Sequence, residues 1–120
     1  MSKGGWIGFD FDGTLAHYES GGGVQDVGAP IPAMVKLVKA HLAKGRTVKI
    51  FTARVYSSGS PEGNANATVQ REKIKAWCLK HIGQKLEVTN IKDPGMIKLY
   101  DDRAVQVITN KGKVVKYEPE

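Results

Sequence analysis

An apolar run ending in paired acids constrains this chain more than any other feature: Trp6-Ile7-Gly8-Phe9, followed by Asp10-Phe11-Asp12-Gly13-Thr14-Leu15. The run has the length and composition of a strand buried on both faces. Side chains alternate along a strand, so Asp10 and Asp12 leave its end on the same side. Gly13 lets the backbone turn and leaves room for a ligand to approach. Two carboxylates converging at the end of a buried strand are costly unless a cation or a reaction uses them. The pair suits a divalent magnesium ion and a nucleophilic carboxylate.

Other chemistries for this stretch fail on spacing. A calcium-binding EF-hand loop needs Gly at its sixth position and Glu at its twelfth. Counting from Asp10, the glycine is fourth and the twelfth residue is Gly21. A sugar-nucleotide Asp-x-Asp would not require the Gly-Thr-Leu that follows.

The 120 residues predict a single domain spanning 1–120, near the small end for a sheet with helices on both sides. An apolar share of 41% and a charged share of 25% are ordinary for a globular protein. No run approaches the roughly 20 apolar residues of a membrane span, so no membrane partner is expected. Met-Ser-Lys-Gly-Gly leads directly into the first strand without a signal peptide, and Cys78 is the single cysteine. Both predict a cytoplasmic protein without an internal disulfide. The net charge is +6. Setting aside Asp10, Asp12, Asp101 and Asp102 leaves eight of the twelve acids against eighteen Lys and Arg. Such a surface attracts phosphorylated or polyanionic substrates. No tight basic cluster with interleaved aromatics argues for nucleic-acid binding by itself.

Taken in order, residues 16–30 read as a polar, glycine-rich loop over the paired acids, either a functional flap or a surface loop without a role. Pro30 and Pro32 mark a helix start, and Met34, Leu37, Val38, His41 and Leu42 recur at helical spacing up to a Gly45 stop. His41 reads as an ordinary helix-face residue. Residues 47–54 form a second strand carrying Thr52 at its end. Residues 55–66 read as a second long polar loop. A helix follows from about Ala67 to Ile82, with Trp77 and Cys78 as core. Residues 86–91 predict a third strand, with Lys92 just past it and Asp93-Pro94-Gly95 turning away. Residues 96–100 predict a fourth strand ending in Asp101-Asp102, and 104–108 a fifth. Asn110-Lys111-Gly112-Lys113 then reads as a hairpin turn into residues 114–117. Strand, helix, strand, helix, strand, strand argues for a parallel α/β sheet with its site beyond the carboxyl ends of the strands. Asp10, Thr52, Lys92 and Asp101 all fall at or just past such ends.

With those four motifs in place, the chain resembles the haloacid dehalogenase superfamily of phosphohydrolases over nearly its whole length. The matching stretches are Asp10-Phe11-Asp12-Gly13-Thr14, Thr52, Lys92 and Asp101-Asp102. The resemblance implies a Rossmann-like three-layer sandwich with a mainly parallel sheet and a C-terminal β-hairpin. It implies that Asp10 is the nucleophile of an aspartyl-phosphate intermediate and that Asp12 serves as general acid, then base. Magnesium would be held by Asp10, the Asp12 backbone carbonyl and Asp101, with Asp102 direct or through water. Thr52, Lys92 and Gly13 would hold the phosphate. Neither loop is long enough for the cap domain most members carry, so the resemblance is to a capless phosphatase with an open site. Asp-Gly-Thr-Leu-Ala and Asp-Asp-Arg are similar to the phosphatase half of phage-type polynucleotide kinase. The expected partner is a phosphorylated small molecule or a nucleic-acid end, with no obligate protein partner indicated.

Two other readings use the same residues. A receiver-type signalling domain also combines an acidic pair, a phosphoacceptor Asp, a Thr and a Lys. It expects the pair at the first strand and the phosphoacceptor at the third, an order this chain lacks. A non-catalytic or nucleic-acid-binding module on the same fold predicts loss of a motif residue, and none is lost.

Overall fold

The computed structural model describes residues 4–18 and 27–115. Its centre is a four-stranded parallel sheet in the order β3-β2-β1-β4. The strands are β1 (Trp6–Phe9), β2 (Val48–Phe51), β3 (Glu87–Thr89) and β4 (Met96–Tyr100). Helix α1 (Pro32–Ala43) joins β1 to β2, and α2 (Pro61–His81) joins β2 to β3. A separate antiparallel hairpin, β5 (Val107–Ile108) with β6 (Lys113–Val114), follows β4.

Both helices lie on one face of the sheet. Ile7, Phe9, Val48, Ile50 and Val88 share a core with Val35 and Val38 of α1 and with Ile74, Trp77 and Cys78 of α2. Chirality explains the sharing. The steps β1 to β2 and β2 to β3 run in the same direction, and right-handed crossovers then put both connections on the same side. The return from β3 to β4 runs the other way and must cross the opposite face. Only residues 90–95 make that crossing. At up to about 3.5 Å each they span three strand spacings of about 4.8 Å, with nothing left over for a helix. Among the described residues the expected three-layer sandwich is therefore corrected to one helical layer on a sheet whose other face carries a bare chain segment. That segment is anchored on Trp6, whose Nε1 donates to Asp93 Oδ1 at 2.9 Å and whose backbone N–H donates to Gly95 O at 2.7 Å. Lys49 Nζ sits 4.8 Å from the Trp6 ring centroid on the same face. Gly8 lets the Trp6 ring and Leu99 lie close there, because a Cβ would stand 3.0 Å from the ring and 3.2 Å from Leu99 Cδ1, so that both would have to shift.

Local boundaries differ from the sequence expectation where polar residues hid regular structure. The second helix begins at Pro61, not near Ala67, so 55–66 is not one long loop. Ser60 caps it by accepting from the Gly63 N–H at 3.0 Å, with Pro61 in the first turn. Gly63, Asn64 and Asn66 suggest a loop by composition, but Ala67 and Gln70 of the same helix are buried. The fifth strand shrinks to Val107–Ile108, paired with Lys113–Val114 across a turn in which Asn110 and Gly112 take positive φ. Residues 116–117 of its expected second arm lie outside the described residues, as does most of the expected flap, 19–26. The flap's base is pinned by the His17 N–H to Ala29 O at 2.8 Å and the Ile31 N–H to Leu15 O at 2.7 Å. No described helix is long and apolar enough to cross a membrane.

Candidate active site

Strands β1, β2 and β4 are neighbours, so their carboxyl ends form one edge, and a cleft of about 620 Å³ opens there. Asp10 follows β1, Thr52 follows β2, and Asp101 and Asp102 follow β4; all four line the cleft with Asp12. Phe11 sets the parity. Its ring is fully buried, edge-on to Trp77 at 5.0 Å, which turns Asp10 and Asp12 out to the opposite side.

Asp10, Asp101 and Asp102 each offer a carboxylate oxygen within 4.8 Å of the others. Burial pushes the Asp10 carboxyl up to about 7, a hydrogen bond with the Asp102 carboxyl and the Asp101 charge push it the same way, and the Phe11 amide opposes them. Thr14 sits beneath the cluster. Its hydroxyl lies 3.4 Å from Asp10 Oδ2 and 3.2 Å from Asp102 Oδ1, and it accepts from the Asp102 N–H at 3.1 Å. Three hard oxygen donors at this spacing, crowded enough to hold a proton near neutrality, could hold a hard divalent cation in preference to a soft or nitrogen-loving metal.

Asp12 is held apart from the trio. Arg54, from the 3-10 turn at 53–55 after β2, donates Nε to Asp12 Oδ2 at 2.6 Å and Nη2 to Oδ1 at 2.9 Å. Arg54 Nη1 donates to Oε1 of buried Gln70 on α2 at 2.9 Å. Thr52 Oγ1 accepts the Arg54 backbone N–H at 3.1 Å, which leaves its own hydrogen to donate into the cleft.

Of the other two expected phosphate ligands, Gly13 lies against the acidic cluster and Lys92 lies off the cleft. Gly13 has φ +86°, and its N–H is committed to Ala16 O at 2.8 Å. The space a side chain would fill is taken by Asp102, whose Oδ2 would lie 2.7 Å from a Cβ. Gly13 thus admits a carboxylate where a ligand was expected. Lys92 is exposed and does not line the cleft; Asn90 does. The cause is the early end of β3 at Thr89, which puts Lys92 already on the segment crossing the helix-free face. The sequence reading missed Arg54 and Thr14. Arg54 had a signal, since a charged residue two positions past a strand-end Thr is poised over the same edge. The role of Thr14 depends on Asp102, 88 residues away, and is not local.

No family model matches the chain, and no curated protein matches it. Among solved structures it is similar to a conserved protein from Bacteroides thetaiotaomicron. The superposition has a TM-score of 0.57 at 20% identity and covers 86% of this chain and 79% of that one. At that identity the likeness shows the α/β fold and nothing of the chemistry.

Proposed function

We propose that this protein is a magnesium-dependent phosphomonoester hydrolase acting through an aspartyl-phosphate on Asp10. The observation that carries the reading is the convergence of Asp10, Asp101 and Asp102 beside Thr52 and the Arg54-held Asp12. Asp10, Asp101 and Asp102 would hold the metal together with the Asp12 backbone carbonyl. When bound, it would supply positive charge that lets a carboxylate approach a phosphate dianion.

The residues then divide the work. An Asp10 oxygen attacks phosphorus, and the bond from phosphorus to the leaving oxygen breaks. Asp12 gives that oxygen a proton. In the second half Asp12 takes a proton from water, the water oxygen attacks phosphorus, and the bond to Asp10 breaks to release inorganic phosphate. Thr52 donates its hydroxyl hydrogen to a phosphoryl oxygen. Arg54 keeps Asp12 facing the reacting groups. Among the described residues nothing caps the cleft, which admits a phosphate at the end of a nucleic acid or on a small molecule.

The test is hydrolysis of p-nitrophenyl phosphate with magnesium, then with excess EDTA, by wild type and Asp10→Asn. Metal-dependent turnover that disappears in the variant is expected. Turnover surviving both EDTA and Asp10→Asn removes the reading. On a phosphorylated oligonucleotide the rate should fall steeply with added salt, as counterion release demands.

A further inference from the structure

A second cleft, of about 460 Å³, lies at the opposite edge of the sheet, where the strands begin. It opens between the C-terminal end of α1 and the starts of β1 and β4. Trp6 stands four residues before Asp10, so the two edges are about 13 Å apart along β1 at about 3.3 Å per residue. Its lining includes His41, Lys44, Arg46 and Lys98 and, among the described residues, no acidic one.

These cations converge from different elements. Lys44 and Arg46 follow α1, while Lys98 comes from β4 in register with Ile7. All three charges are felt at His41, where they add to burial in holding the imidazole below its ordinary range. The imidazole of His41 has its Nδ1 3.0 Å from Arg46 Nη1 and its Nε2 3.3 Å from the Tyr100 hydroxyl. Among the described residues no carboxylate pairs with Lys44, Arg46 or Lys98. The end of α1 supplies a partial counter-charge, but a helix terminus carries only about half an elementary charge. Three cations against half a charge leave a concave site short of negative charge.

We propose that this basal cleft binds a small polyanion carrying phosphoryl groups, independently of metal and of the acidic site above. Its concavity favours a compact ligand over a nucleic-acid strand, which would need a longer basic track. The two clefts have opposite electrostatics. Without a divalent ion the upper one presents clustered carboxylates and repels phosphate, whereas the lower one needs no ion.

The opposite electrostatics give the test. Pyrophosphate is titrated into the full chain in excess EDTA, read by calorimetry and by backbone amide shifts. Saturable binding is expected, with shifts at Gly45, Arg46 and Lys98 and none at Thr52 or Asp102. Lys44→Gln with Lys98→Gln should weaken it by about tenfold or more, some 1.4 kcal/mol. Both lysines are exposed, so the double variant should melt as wild type does. The His41 imidazole should titrate at higher pH with pyrophosphate bound, because the ligand offsets the charges of Lys44, Arg46 and Lys98 around it. Absence of saturable binding, indifference to the two lysines, or shifts confined to the upper cleft would each overturn the proposal. None of these outcomes depends on the phosphatase reading, which fails or stands on turnover.

Discussion

Arg54 grips Asp12 at two points, Nε to Oδ2 at 2.6 Å and Nη2 to Oδ1 at 2.9 Å, across 42 positions of sequence. The Arg54 side chain is 9% exposed and that of Asp12 is 23%. Only a planar fork can satisfy both carboxylate oxygens at once. The pair therefore fixes the direction of Asp12.

Arg54→Lys keeps the charge and loses the fork. If Arg54 acts by orienting Asp12, turnover should fall by about tenfold to a hundredfold, the range a misplaced catalytic group produces. The loss should be larger for an alkyl phosphate, whose leaving group needs a proton, than for p-nitrophenyl phosphate. Equal losses on the two substrates would make the pair merely structural. Arg54→Ala should in addition lower stability by about 1–3 kcal/mol, since it leaves Asp12 and Gln70 without their partner.

Asp10→Asn and Asp12→Asn should each remove most activity but differ in what accumulates. With a good leaving group, Asp12→Asn still allows phosphate onto Asp10 and slows its release, so rapid quenching should trap phosphorylated protein. Asp10→Asn should trap none. Equal incorporation in Asp10→Asn and wild type would place the nucleophile elsewhere.

Magnesium should raise the thermal midpoint without any substrate, because it relieves the crowding of Asp10, Asp101 and Asp102. At a hundredfold excess over its dissociation constant, a ligand specific for the native state adds about 2.7 kcal/mol. Asp101→Asn should diminish the rise. A midpoint indifferent to magnesium in wild type would argue against a metal centre at these residues.

His41 sets a pH dependence distant from the acids. Burial first, then Arg46, Lys98 and Lys44, lower its imidazole from the ordinary 6.5, so the folded chain binds fewer protons than the unfolded one. The stability it contributes is present above the unfolded value and is lost as pH falls through the folded one. Between about pH 7 and pH 5, wild type should lose more of its thermal midpoint than His41→Gln. Parallel curves would show that other groups govern this window.

Lys92→Ala is the counterpart for a residue outside the cleft. The exposed position predicts a change in kcat/KM within the roughly 0.5 kcal/mol scatter of surface substitutions. A loss of about a hundredfold would mean that Lys92 swings in when phosphate binds, as a strand-end lysine was expected to do.

The sequence by itself determined the elements whose signals are local and periodic. The buried run of β1, the heptad-like spacing of α1 and the parity of Asp10 and Asp12 all follow from side-chain alternation within a few residues. Adjacent strand ends then put Asp10, Thr52 and Asp101 on one edge. Tertiary structure decided whatever depends on distant pairs or on chain reach. The start of α2 was masked by Gly63, Asn64 and Asn66, whose composition suggests a loop until Ala67 and Gln70 find a core to enter. Thr14 and Asp102 meet only because β4 docks beside β1, and that docking also fills the hollow left by Gly13. The helix-free face follows from six residues having to recross a sheet that right-handed connections had built in one direction. That constraint, which no local pattern carries, is what leaves Lys92 on the crossing.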